Sequence, residues 1–139
     1  MSTDRIRILD ASFRTWLNEA APTNPQWRRA DLDRPIREGS GLTGRKAVEL
    51  FESQIAVRHL DGAARWLRRD GRSFYTISSA GHEGDAVLGD LLRGDDPTLL
   101  HYRCGGLVMQ RARRWGANLG ETPIFDICLS LACSAEDPV

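Results

Sequence analysis

TGRKAVELFESQIAVRHLDGAARWLRRD, residues 43–70, is the stretch on which the fold turns. No proline interrupts it, and Val48, Phe51, Ile55, Ala63, Ala64 and Leu67 recur at a spacing near 3.6 residues. Thr43 suits the position that caps a helix start, and Gly71 supplies a C-terminal stop. The pattern predicts one helix over 43–70, with that apolar face turned to a core. At about 1.5 Å per residue it would run roughly 42 Å, long for so small a domain. Such a helix is expected to belong to something larger.

On the C-terminal side, residues 73–78 (Ser-Phe-Tyr-Thr-Ile-Ser) are β-branched and aromatic and read as extended. After Ser79-Ala80-Gly81 a helix is predicted through about Arg93, closed by Gly94. Asp95-Asp96-Pro97 is a turn, and residues 98–102 (Thr-Leu-Leu-His-Tyr) suit a buried strand. Gly105-Gly106 opens a helix through Trp115, and Thr122-Pro123 opens another, with the threonine as cap and the proline in the first turn. On the N-terminal side, residues 1–41 read as an extended arm broken by Pro22, Pro25 and Pro35, with one short helix near 11–20 carrying Phe13, Trp16 and Leu17. Trp27, flanked by prolines, either packs on its own domain or marks the arm as lying on a partner. Periodicity alone gives a mostly helical chain with one or two short strands.

The 139 residues are 41% hydrophobic and 27% charged, the composition of an ordinary globular domain. Nineteen bases balance nineteen acids, which disfavours nucleic-acid binding by bulk charge. No apolar run reaches the roughly 18–20 residues of a membrane span, and the first residues lead into no signal-peptide core. Three cysteines are too few for a disulfide scaffold. A cytoplasmic protein is the expectation. The neutral total hides a gradient: residues 73–100 carry a net −4, and residues 101–120 hold four arginines and no acid. A local positive zone in a neutral chain suits a small anion. Arg111, Arg113 and Arg114 read as a solvated helix face.

Two short stretches carry candidate chemistry. Residues 78–84 (Ser-Ser-Ala-Gly-His-Glu-Gly) run from a small-residue loop into a helix. They read either as a structural turn capped by Glu83, which the residues alone favour, or as a loop offering amides and His82 to an anion. In His101-Tyr102-Arg103-Cys104-Gly105-Gly106 a phenol and a guanidinium stand side by side before glycines, as a diphosphate clamp needs. The competing reading, which the residues alone favour, is a structural arginine in a salt bridge. A zinc site from His82, Glu83, His101 and Cys104 lacks paired ligand spacing, and the cysteines read as buried apolar residues.

These pieces occur in a telling order: Leu50-Phe51-Glu52-Ser53-Gln54, Arg58, Arg72-Ser73-Phe74-Tyr75, Gly81-His82-Glu83-Gly84, Asp96-Pro97, then Tyr102-Arg103 before glycine. From Leu42 to about Leu131 the chain resembles the N-terminal part of the alpha subunit of the thiamine-diphosphate-dependent first component of 2-oxo acid dehydrogenase complexes. The branched-chain, 2-oxoisovalerate type is the most similar. The resemblance implies an α/β fold class: the N-terminal, mostly helical portion of a thiamine-diphosphate-binding fold, with the sheet incomplete in this chain. It divides the chain into an arm over 1–41 and a truncated cofactor-binding domain over 42–139.

It further implies that Tyr102 and Arg103 contact the cofactor's diphosphate, and that Phe74 lines the pocket for the 2-oxo acid side chain, with Tyr75 and His82 nearby. The family reaction decarboxylates a 2-oxo acid on the thiazolium ylid and then reductively acylates a lipoyl group. The implied partners are a beta subunit or fused beta part and a lipoyl-bearing acyltransferase component. Mg²⁺ is the implied metal, yet the family's Gly-Asp-Gly…Asn-Asn motif is absent, the only asparagines being Asn18, Asn24 and Asn118. The chain is therefore expected to be an inactive piece of an active enzyme. A second departure is Cys104-Gly105-Gly106, where relatives often carry a polar residue and one glycine. The alternative from another class is a non-catalytic helical assembly module.

Overall fold

A computed structural model describes residues 2–19, 29–74, 76–116 and 123–137. Five α-helices follow one another: α1 (Ser2–Glu19), α2 (Gly44–Arg69), α3 (Ala86–Leu91), α4 (Gly105–Arg114) and α5 (Pro123–Leu131). Three 3-10 turns, Arg29–Asp33, Glu83–Asp85 and Tyr102–Cys104, lie between them. The molecule is mostly helical, and no strand occurs among the described residues beyond a single antiparallel bridge between Pro35 and Thr43.

The central helix forms where its sequence places it. The Thr43 hydroxyl accepts from the Lys46 N–H at 3.2 Å, and Arg68 and Arg69 sit in the last turn against the helix's negative end. Gly71 has φ 74°, and the Gly71 and Arg72 amides donate to the Arg68 and Leu67 carbonyls at 3.1 and 2.8 Å. That pair of bonds is the Schellman closure, which requires a left-handed residue where glycine stands.

The face α2 buries is not the one its apolar spacing predicts. Ser53, Val57, Leu60, Asp61 and Ala64 are buried, whereas Val48, Phe51 and Ile55 are 44%, 52% and 39% exposed. The reason is the partner: α4 and α5 pack against α2, with Gly105 of α4 set on Val57 and Leu60. Gln110 of α4 is fully buried and needs a polar neighbour, which Ser53 supplies by donating to its Oε1 at 2.8 Å. Its amide nitrogen donates to Asp90 Oδ1 at 3.0 Å, and Lys46 Nζ reaches the same oxygen at 2.9 Å. This chain of polar groups ties α2, α3 and α4 together around Met109 and Ala86, both fully buried.

Helices α3 and α4 approach so closely that a Cβ on Gly89 would collide with the Leu107 carbonyl. The helix predicted through Arg93 is accordingly shorter, a 3-10 turn followed by the six residues of α3. Both predicted strands are irregular. Residues 76–79 and 98–101 have no ladder partner, and Leu99 is wholly exposed, so 98–102 is not a buried strand. A strand is stable only beside another, and the described chain offers none.

The N-terminal region also departs from an extended arm. With neither proline nor glycine before residue 20, α1 runs over eighteen residues, and its Ile8, Leu9, Phe13, Trp16 and Leu17 are all about half exposed or more. Residues 34–44 fold back onto the start of α2: Ile36 N–H donates to Leu42 O at 2.9 Å and Gly44 N–H to Arg34 O at 3.1 Å. Trp27 and the Thr122 cap lie outside the described residues.

Candidate functional site

The Tyr102–Cys104 turn leads directly into α4 and sits under the 77–84 loop. Its start is His101, extended at φ −110° and ψ 153°. The His101 ring lies against that of Tyr102, centroids 4.2 Å apart. His101 Nδ1 accepts from Arg103 N–H and Nε at 3.3 and 3.4 Å, long bonds that steer the guanidinium more than they hold it. The Tyr102 hydroxyl oxygen accepts from the Ile77 N–H at 2.7 Å.

Two groups at this turn keep donors to spare. The Tyr102 O–H has no acceptor among the described residues, and Arg103 has no carboxylate partner among them. Most of the arginines around it are engaged. Arg93 pairs with Asp96 at 2.9 Å, Arg113 with Glu52 at 2.7 Å and Arg58 with both Asp61 and Glu83 at 2.9 and 3.1 Å. Arg111 donates to the Gly94 and Asp96 carbonyls and the Thr98 hydroxyl, clasping the 94–98 loop. Arg111 and Arg113 are thus structural rather than a solvated face. A guanidinium without a carboxylate partner, next in sequence to a phenol proton without an acceptor, suits an anion with several acceptor oxygens, as a diphosphate is.

The 78–84 loop resolves in favour of the structural turn. Its amides are spent internally: Ser79 N–H on Asp61 Oδ1 at 2.8 Å, Ala80 N–H on Ser78 Oγ at 3.1 Å, Gly81 N–H on Glu83 Oε2 at 2.7 Å, His82 N–H on Ser79 O at 2.8 Å. Those four amides are not left for an anion. His82 is half-buried, with Nδ1 3.4 Å from Asp85 Oδ2.

Under the loop lies Asp61, its side chain 4% exposed. It accepts from Ser78 Oγ at 2.6 Å, from Ser79 N–H and Oγ at 2.8 Å, and from Arg58 Nη1 at 2.9 Å. Burial pushes this carboxyl up, but the bonds from Ser78 and Ser79 and the Arg58 charge together outweigh it and hold the group below its usual value. Sequence reasoning passed over Asp61 because a lone aspartate within a helix looks like a solvated residue. Only its register beside Val57 and Leu60 hinted at burial.

The glycines after Arg103 have a packing role. A Cβ on Gly106 would stand 2.9 Å from Glu83 O and 3.0 Å from Ala86 N, and one on Gly105 3.3 Å from Val57. The pair lets the loop and α3 settle on the first turn of α4, which brings His82 and Tyr102–Arg103 into one neighbourhood. Phe74 stands apart, 86% exposed, with its carbonyl accepting from Arg68 Nη1 at 2.6 Å. Its ring stacks on no other among the described residues. Tyr75 lies outside the described residues. Cys128 is half-buried, its thiol pushed up by burial, while Cys133 is exposed, so the cysteines are not uniformly core residues. No group of three or more His, Cys, Asp or Glu gathers among the described residues. None of their helices is long and apolar enough to cross a membrane. Compared with protein-family models, curated proteins and solved structures, the chain finds no match in any of the three.

Proposed function

We propose that this chain is the N-terminal part of the alpha component of a thiamine-diphosphate-dependent 2-oxo acid dehydrogenase, acting on a branched-chain 2-oxo acid. The observation that carries the reading is the Tyr102 O–H, without an acceptor among the described residues, and the Arg103 guanidinium, without a carboxylate among them, on the turn that leads into α4. The ordered motifs from Leu50 to Arg103 support it independently.

When bound, the cofactor supplies the electron sink for decarboxylation. In this reading the chain's own residues bind and orient. Arg103 neutralises diphosphate charge, steered by His101, and Tyr102 donates one hydrogen bond while the Ile77 amide fixes its oxygen. Phe74, so exposed here, forms a pocket wall for the substrate side chain only against another surface, which a beta subunit or fused beta part provides. His82 stands at the rim. The Mg²⁺ ligands, the beta part and the docking of the lipoyl-bearing acyltransferase belong to the longer enzyme, a cytoplasmic one.

Titration of the full-length protein with thiamine diphosphate and Mg²⁺, followed by tryptophan fluorescence, tests this. Saturable binding is expected, and Arg103→Ala weakens it by roughly ten- to a hundredfold, the value of a charge-assisted hydrogen bond. A protein that does not bind the cofactor, or binds it equally well as Arg103→Ala, overturns the reading. A second reading, a helical assembly module, is favoured by the exposed apolar stripes of α1 and α2. It takes over if cofactor binding fails.

A further inference from the structure

The loop over the candidate clamp is fastened from below at one point. Asp61 collects Ser78, Ser79 and Arg58, and Arg58 passes the tie on to Glu83, whose other oxygen holds the Gly81 amide. Two residues before Ser79, the Ile77 amide donates to the Tyr102 hydroxyl. Four residues after it, the Glu83 carbonyl rests on Gly106, at a distance only glycine permits. The loop is therefore clamped between α2 and the 102–106 turn, and the Asp61 carboxylate is the buried end of that clamp.

We propose that Asp61 is a positioning residue: through Ser79 and Ile77 it fixes the Tyr102 hydroxyl, so that the phenol proton points to the diphosphate beside Arg103. The proposal rests on the reading above for the identity of the ligand, but not for the mechanical link. Asp61 touches neither ligand nor Tyr102. Its carboxylate, nearly buried, is kept charged by four donors, and each one given up leaves the loop a free end. An amide accepts through one oxygen only, so Asp61→Asn loses the second half of this set while keeping the shape.

The test has two readouts on the full-length protein. The first needs no ligand: hydrogen exchange of the Ile77 and Ser79 amides, with Met109 in α4 as the internal reference. Asp61→Asn speeds exchange at Ile77 and Ser79 about tenfold and leaves Met109 unchanged, as local rather than global opening requires. Unchanged exchange at Ile77 overturns the link. The second is thiamine diphosphate affinity in a double-mutant cycle with Tyr102→Phe, which removes the hydroxyl through which Asp61 acts. Asp61→Asn weakens binding about tenfold with Tyr102 present and less than twofold with Tyr102→Phe, because coupled sites are not additive. An equal loss in both backgrounds makes Asp61 a merely structural residue and overturns the proposal. Where Asp61→Asn does not fold, Ser79→Ala carries both readouts with the same expectations. A wild-type protein that binds no thiamine diphosphate defeats the cofactor reading alone, and the exchange result still decides the positioning role.

Discussion

Asp61 and Asp90 are charges held inside a small helical protein, and each bends the pH dependence of stability in a definite direction. Burial pushes both carboxyls up, yet hydrogen bonds win: Ser78 and Ser79 at Asp61, Lys46 and Gln110 at Asp90, so both titrate below the unfolded value of 3.8. A depressed carboxyl stabilises the fold fully above its unfolded value and loses that contribution as pH falls from 3.8 through the lower folded value. Urea unfolding of the wild type is therefore expected to show stability that is flat near neutrality and falls below about pH 4. Asp61→Asn is less stable near neutrality and shows a shallower acid decline. Parallel declines for the two proteins would remove Asp61 from the linkage. At this scale the Tyr102-Arg103 pair before two glycines was legible, and its diphosphate role is proposed from the resemblance. Asp61 was not, because whether a carboxylate is buried depends on which side chains cross from another helix.

Among the elements, α2 shows how periodicity can find a helix and miss its inner face. Two stripes run along it, Val48-Phe51-Ile55 and Ser53-Val57-Leu60-Asp61-Ala64, and the less apolar one is buried. Gln110 and the 78–79 loop decide this: Ser53 supplies the donor for Gln110 Oε1, and Asp61 the acceptor for the Ser78 hydroxyl and the Ser79 amide and hydroxyl. Helix ends were more legible, being set by neighbouring residues: Thr43 and Gly71 bound α2 as their chemistry requires. The end of α5 breaks the pattern. Cys133 takes φ 50°, and the Cys133 and Ser134 amides close a Schellman motif on Ser130 and Leu129 at 3.1 and 3.0 Å. A β-carbon in that region costs roughly 1–2 kcal/mol, partly offset by the entropy glycine loses on folding. Cys133→Gly is expected to raise the unfolding free energy by about 0.5 kcal/mol, read from the urea midpoint at constant slope. A lower midpoint would show that the thiol contributes more than the strain costs.

For the molecule as a whole, the core lies among α2, α3, α4 and α5, and α1 takes almost no part in it. Removing residues 1–19 is therefore expected to leave the melting temperature of the remainder within about 2 °C, since a loss below 0.5 kcal/mol shifts a domain of this size little. A drop of 8 °C or more would mean that α1 packs on the body in solution. The exposed residues of α1 and of α2's outer stripe leave apolar surface uncovered among the described residues.

The sequence by itself determined the helical class, the ends of α2 and the start of α4, all of which depend on residues within about a turn of one another. Only the tertiary structure decided that α2 buries the stripe carrying Ser53 and Asp61, that residues 98–102 stay unpaired and that Asp61 takes up Ser78 and Ser79 of the loop. The first and last of those outcomes depend on partners 17 or more residues away, such as Asp61 for Ser78 and Ser53 for Gln110. Hydrogen-bond satisfaction across such distances has no local signature, because the need of one buried group is met by another that chain folding alone brings near.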